Sequence, residues 1–214
     1  MSSRLQAARF YAILDTGYVP REALLDKCRA LLAGGADIIQ LRAKGETPDE
    51  RIEILDTLVP LFADTDVPLV VNDDLEAALR FPGVGLHVGQ DDLSAAEARD
   101  ALGPERVLGL STHTTMQAQR AIKHAALLDY FAVGPVFATP TKPDYIPVGL
   151  QLVRQVAEMQ PPLPWFAIGG VKRYNLAQVL EAGARRVVAV SDALCAEDST
   201  AAVAEYQKAL AAIG

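Results

Sequence analysis

Short apolar runs alternate with amphipathic stretches along the whole chain. Phe10 to Leu14 is the first such run, closed by Asp15, Gly17 and Pro20. Residues 21–33 then place Ala23, Leu24, Cys28, Leu31 and Leu32 on one stripe at helical spacing, and Gly34-Gly35 end them. A second strand is predicted over Ala36 to Ala43. Thr47-Pro48-Asp49-Glu50 opens the next helix, with Thr as N-cap, Pro in the first position and Glu completing a capping box; Pro60 suits its end. Leu69-Val70-Val71 stops at Asn72-Asp73-Asp74, and after a brief helical segment Leu86-His87-Val88-Gly89 stops at Gln90-Asp91-Asp92. Ser94 and Glu97 form another capping box. Arg106 to Leu110 reads as a fifth strand, Met116 to His124 as a helix and Tyr130 to Val133 as a sixth strand. A long loop covers Gly134 to Gly149. A helix over 150–159, a strand over Trp165–Ile168, a short helix from Asn175 to Glu181, a strand over Arg186–Val190 and an Ala-rich helix complete the chain.

Eight strands, most of them apolar on both faces, alternate with eight helical segments, which indicates a parallel sheet covered by helices. The count and the length of 214 residues favour a closed single-domain (β/α)8 TIM barrel over residues 1–214. No G-x-G-x-x-G follows the first strand, which weakens an open doubly wound sheet. Half the residues are hydrophobic, enough for a substantial core, yet no apolar run approaches the ~20 residues of a membrane span. The N-terminus lacks a basic segment followed by a hydrophobic one. Two cysteines, Cys28 and Cys195, give no disulfide framework, and Cys28 reads as a small core residue. A reducing cytoplasm is the expected home. The net charge of −7, with no basic stripe, argues against nucleic acid. It leaves an anionic small substrate open, because local field at a cleft decides that.

Barrels of this kind place their active sites at the C-terminal ends of the strands. Strands joined by one crossover helix lie parallel and usually adjacent, so acids after the third and fourth strands emerge on one rim. Two such carboxylates plus substrate phosphate oxygens form a typical Mg²⁺ site. The plainer alternative is that Asp73 and Asp74 cap the next helix while Asp91 and Asp92 lie in a turn. In the second strand Gln40, Arg42 and Lys44 alternate with Ile39, Leu41 and Ala43, so the polar set shares one face, toward the barrel mouth. Cations buried there without partners are costly, which points to an anionic ligand; the alternative is a solvated Lys44 and an Arg42 paired with a core acid. Thr139-Pro-Thr-Lys142, in a long loop of the kind that serves as lid or binding segment, supplies two hydroxyls and an ammonium suited to phosphate. Gly169-Gly170 and Ser191-Asp192 follow the seventh and eighth strands, the usual monophosphate site of such barrels. Ser111 adds a hydroxyl to the rim. His87 reads as a hydrogen-bonded core histidine; zinc-ligand spacing and a nucleophilic triad are both missing. One Mg²⁺ site, three cations and two phosphate subsites suit displacement of pyrophosphate by a second, phosphorylated substrate, where charge neutralisation matters more than proton transfer.

These residues resemble the thiamine phosphate synthase family. The resemblance covers nearly the whole chain and rests on Tyr11-Ala-Ile-Leu-Asp15, Gln40-Leu-Arg-Ala-Lys44, Val71-Asn-Asp73, Leu86-His-Val-Gly-Gln-Asp-Asp92, Leu110-Ser-Thr-His113, Gly134-Pro-Val-Phe-Ala-Thr-Pro-Thr-Lys142-Pro and Ala167-Ile-Gly-Gly170. It implies a (β/α)8 barrel, commonly a homodimer, that joins hydroxymethylpyrimidine diphosphate to a thiazole phosphate and releases pyrophosphate. It further implies that Asp73 and Asp92 hold Mg²⁺. Gln40, Arg42, Lys44, Asn72, Ser111 and Lys142 would bind the pyrimidine diphosphate, with Lys142, Arg42, Lys44 and Ser111 carrying the chemistry. Thr139, Thr141, Gly170 and the Val190-Ser191 backbone would bind the thiazole phosphate. The family mechanism is dissociative: pyrophosphate leaves, a pyrimidine methylene cation forms, and the thiazole nitrogen attacks it. Two departures stand out. Phe81-Pro-Gly-Val-Gly85 occupies the place of a usual Asp-Gly pair, and Arg185-Arg186 replaces another, at the expected solvent-facing start of the last strand. The rival readings are a thiazole tautomerase of the same barrel type, against which Lys142 and the Asp73/Asp92 pair argue, and a phosphometabolite-binding barrel without turnover.

Overall fold

The computed structural model describes residues 3–141 and 146–213. After a short helix α1 (Ser3–Ala7), strand β1 (Phe10–Asp15) begins the alternation of strand and helix. It continues through α2 (Leu24–Ala33), β2 (Ile38–Arg42), α3 (Pro48–Leu58), β3 (Leu69–Asn72), α4 (Leu75–Arg80), β4 (Gly85–Val88), α5 (Ala95–Leu102) and β5 (Leu108–Thr112). Then come α6 (Thr115–Lys123), β6 (Tyr130–Val133), α7 (Gly149–Glu158), β7 (Trp165–Ala167), α8 (Leu176–Glu181), β8 (Val187–Ala189), α9 (Ser191–Leu194) and α10 (Ser199–Ala211). All eight strands are parallel and pair in sequence order, and β8 returns to β1 to close the barrel.

Closure sorts side chains by the two-residue period of a strand. Ile39, Leu41 and Ala43 pack outward among the helices, whereas Tyr11, Ile13, Ile38, Val70, Tyr130, Phe166 and Val188 fill the lumen. The expected inward face of the second strand is realised for Gln40 and Arg42, whereas Lys44 lies beyond the end of β2, half exposed in a neighbouring recess. Cys28 is fully buried in the outer core, where loss of solvation pushes its thiol up to about 12. Both expected capping boxes form, Thr47 with Glu50 and Ser94 with Glu97.

Several boundaries move. Residues 21–23 are a 3-10 turn ahead of α2. The fifth strand runs from Leu108 rather than Arg106, because the Arg106 carbonyl accepts from Arg99 Nη1 at 2.7 Å and the ladder starts where Leu108 N–H donates to Asp129 Oδ2 at 2.9 Å. Ser111 consequently lies inside that strand. Two short helices, α1 and α9, join the expected eight among the described residues. Arg186 is not a solvent-facing start: it reaches back to donate to the carbonyls of Ala8 and Gln6 at 2.9 and 2.7 Å, tying β8 to the N-terminal segment.

Inside the barrel, Gly109 on β5 sits beside Tyr130 on β6. A Cβ at Gly109 would lie 2.2 Å from the Tyr130 ring, so the tyrosine occupies space that any larger residue needs. Gly109→Ala is expected to lower unfolding free energy by about 1–3 kcal/mol through overpacking, as read by urea denaturation.

Candidate active site

The C-terminal ends of the strands surround a cavity of about 320 Å³. Gln40 and Arg42 from β2, Asn72 from β3 and Ser111 from β5 line it. From the opposite side come Thr139 and Thr141 of the loop after β6, Gly170 after β7, and Val190 and Ser191 at the start of α9. The structure thus brings together nine of the residues that the sequence singled out. Lys44 and Asp73 line a shallower recess next to it, and Asn72 borders both. Lys142 lies outside the described residues.

The two acids are separated by their roles. Asp74 N-caps α4, accepting from Ala77 N–H at 2.9 Å, and pairs with Arg51 at 2.6 Å, so the plainer reading holds for it. Asp73 does not cap. Its backbone is left-handed, φ 60°, a conformation that Asp tolerates better than most residues, and its N–H donates to the His87 carbonyl at 2.8 Å. β3 and β4 are paired, with Asn72 opposite His87, and the turn after β4 brings Asp92 back toward Asp73. Asp92 Oδ2 accepts from Gly89 N–H at 2.7 Å. Its carboxyl is pushed above the usual carboxylate range, by partial burial first and then by the adjoining Asp73 carboxyl, which is close enough to share a proton with it. The Gly89 N–H and Lys44 pull the other way.

Neither Arg42, at the end of β2, nor Lys44 just beyond it is without a partner. Arg42 Nη1 pairs at 2.8 Å with Asp15, which is 1 % exposed, and Nη2 donates to the Thr141 carbonyl at 3.3 Å. Lys44 Nζ lies 3.0 Å from Asp73 Oδ2, which also accepts from Asn72 Nδ2 at 2.6 Å. The expectation that these cations are uncompensated in the folded chain is therefore corrected: Arg42 has the core acid of the alternative reading, and Lys44 leans on an acidic pair. The sequence offered Asp15 only as the end of the first strand; its role follows from Asp15 lying opposite Arg42 in the parallel register.

The loop after β6 is anchored at both sides. Val136 and Phe137 N–H donate to the carbonyls of Ile168 and Gly169 at 2.8 and 2.9 Å. The Thr141 hydroxyl bonds Tyr18 at 2.8 Å. Gly170 has φ +63°, and a Cβ there would meet Phe137 Cβ at 2.7 Å, so the backbone approaches this loop as only glycine permits. Ser191 and Asp192 begin α9; Asp192 is held by Arg173 at 3.0 Å and by the Tyr206 hydroxyl at 2.9 Å. Residues missed by sequence reasoning include Tyr18 and Lys172, the latter also lining the cavity. Tyr11 and Tyr130 were also missed. Their signal was available: an inward tyrosine on a barrel strand needs a partner for its hydroxyl.

The sequence profile described as thiamine monophosphate synthase matches residues 10–193. The chain belongs to that family. It is 43% identical over 216 residues to the thiamine-phosphate synthase of Acidothermus cellulolyticus, covering 99% of each chain. It is 40% identical to that of Shouchella clausii, covering 91% of this chain and 92% of the other. Among solved structures, the thiamine phosphate pyrophosphorylase of Pyrococcus furiosus superposes with a TM-score of 0.85 at 29% identity, covering 99% of each chain. A 3-hexulose-6-phosphate synthase shares the fold at TM-score 0.65 and 21% identity. The family resemblance read from the motifs and the barrel read from the periodicity are both borne out.

Asp15 is buried and Arg42 partly so where they pair at the mouth of the barrel, so removing Asp15 takes from Arg42 its carboxylate partner. Asp15→Ala is expected to cost about 3 kcal/mol of stability, measured by chemical denaturation; Asp15→Asn, which keeps an acceptor, should lose visibly less.

Proposed function

We propose that this chain is a thiamine phosphate synthase, coupling 4-amino-2-methyl-5-(diphosphooxymethyl)pyrimidine to a thiazole phosphate with release of pyrophosphate. The observation that supports this most directly is the meeting of the Asp73 and Asp92 carboxyls beside Lys44, at the edge of a cavity lined by the remaining motif residues, in a member of this family. Gln40, Arg42, Lys44, Asn72, Ser111 and Lys142 bind the pyrimidine diphosphate in this reading. Thr139, Thr141, Gly170 and the Val190-Ser191 backbone receive the thiazole phosphate.

Two adjoining carboxyls that already draw a lysine ammonium are a donor set that fits Mg²⁺, which takes one or two carboxylates and completes its shell with water and substrate phosphate. Asp73 and Asp92 would hold the ion, and when bound it would supply charge neutralisation for the departing diphosphate. Arg42 and Lys44, each already held by an acid, add positive charge near the same oxygens with little reorganisation, and Lys142 supplies a third cation in this reading. The bond between the pyrimidine methylene carbon and the diphosphate oxygen breaks first, with its electron pair leaving on pyrophosphate. The thiazole nitrogen then donates its pair to the methylene cation. Gln40 and Asn72 orient the ring and the diphosphate, and the glycine turn at Gly170 with the amides at the start of α9 places the thiazole phosphate across the cavity. The rest of the reading is one barrel domain working in the cytoplasm, with a second copy as its partner and neither nucleic acid nor membrane involved; among the described residues no helix is long and apolar enough to cross a membrane.

Incubating the protein with both substrates, with and without Mg²⁺, and reading product by mass tests the assignment. Thiamine phosphate is expected only when both substrates and the ion are present. Interconversion of thiazole phosphate isomers without coupling would assign a tautomerase instead, and ligand binding without turnover a sensor. Lys142→Ala should lower coupling strongly, and a rate within about threefold of wild type would count against its role at the leaving group. For Asp92→Asn, a Mg²⁺ titration of activity should shift to higher concentration by about tenfold or more, in line with loss of one of two protein ligands.

A further inference from the structure

Five side chains form one hydrogen-bonded chain across the barrel lumen. Gln40 Nε2 donates to the Tyr11 hydroxyl. The Tyr11 and Tyr130 hydroxyls lie 2.9 Å apart, Tyr130 Oη is 2.9 Å from His87 Nδ1, and His87 Nε2 is 2.9 Å from Ser111 Oγ. All five are buried. The core reading of His87 is correct as far as it goes, yet the two ends of this chain, Gln40 and Ser111, border the cavity, as do Tyr11 and His87 between them.

Counting protons gives the chain a direction. A hydroxyl has one proton to donate and a neutral imidazole has one N–H. Burial pushes both phenols far above their usual range, so each keeps its proton. With the Gln40 amide nitrogen on Tyr11, the Tyr11 proton goes to Tyr130 and the Tyr130 proton to His87 Nδ1. The imidazole then carries its proton on Nε2 and gives it to Ser111 Oγ. The serine proton is left for the cavity. Turning the amide over reverses every link: Ser111 would donate to His87, and only its lone pairs would remain for a ligand.

We propose that Tyr11, Tyr130 and His87 are positioning residues that tie the donor or acceptor face shown by Gln40 to the opposite face shown by Ser111. A ligand amino group donating to Gln40 Oε1 holds the amide nitrogen on Tyr11. Ser111 is thereby committed to donating its O–H, the useful direction for an oxygen of a departing diphosphate. A ring presenting an acceptor to Gln40 would demand the amide nitrogen and leave Ser111 unable to donate. The site therefore reads the aminopyrimidine at one end and readies the leaving-group contact at the other, with no movement of backbone. This rests on the reading of Gln40 and Ser111 as contacts of the pyrimidine diphosphate.

The proton order is tested on unaltered protein. With only three histidines in the chain, ¹⁵N-histidine labelling resolves the His87 ring, assigned by its loss in His87→Gln; the neutral Nε2–H tautomer is expected, and an Nδ1–H tautomer overturns the inference. The link to Ser111 is tested by a double-mutant cycle. Tyr130→Phe should lower kcat about tenfold while KM for the thiazole phosphate stays near wild type, and in a Ser111→Ala background the same change should cost less than about twofold. An unchanged kcat, or effects that multiply in the double variant, would also overturn it. Tyr11→Phe serves the same cycle if Tyr130→Phe fails to fold. Wild-type protein without coupling activity would overturn the functional reading and the link to turnover with it, whereas the wrong tautomer in an active enzyme overturns this inference alone.

Discussion

Three backbone registers close the sheet: Phe10 against Val187, Tyr11 against Val188 and Ala12 against Ala189. Without that seam β1 and β8 would be edges, and the residues after them would diverge. With it, the strand ends share one rim, and groups more than a hundred residues apart in sequence become neighbours. Tyr18 meets Thr141, and Tyr11 meets Tyr130. Closure also makes the inside of the barrel small, so each inward residue must fit its opposite number. Glycine at 109 beside tyrosine at 130 is one solution to that constraint.

The lumen is apolar below and polar above, and the change occurs within single strands. In β2, Ile38 is packed in the inner core, Gln40 enters the tyrosine network and Arg42 reaches Asp15. Polar groups can sit at these depths because each is given a partner, which avoids the cost of a buried unpaired dipole or charge. The same accounting explains why the cations of the rim are paired in the folded chain. A compensated Arg42 is held in place without collapsing the fold, and it can still add its field to a ligand in the cavity. The acidic pair at Asp73 and Asp92 is the counterpart: partial burial first, and then the adjoining Asp73 carboxyl, raise the proton affinity of Asp92, and a nearby cation relieves this.

The family assignment and the geometry have different reach. Identity of 40–43% across nearly the full length of two curated relatives establishes kinship. The proton order in the lumen is a property that kinship does not address. It depends on four contacts among five side chains from strands β1, β2, β4, β5 and β6.

Much of this was legible in the chain itself. The strand–helix alternation, the two capping boxes, the inward Gln40-Arg42 face and the placing of Asp73 and Asp92 at successive strand ends are all local or periodic signals, and local signals survive without knowledge of the fold. β5 starts two residues after the point the apolar pattern predicts because Arg99, a helix residue, captures the Arg106 carbonyl. Asp15 could not be matched to Arg42, nor Tyr11 to Tyr130 and His87, because such pairings depend on strand register and barrel closure, neither of which leaves a periodic mark on the sequence. Residue type and spacing determined which groups point toward the mouth of the barrel. Only the tertiary structure decided which of them touch, because contact across a closed sheet is set by how the strands stagger around the ring.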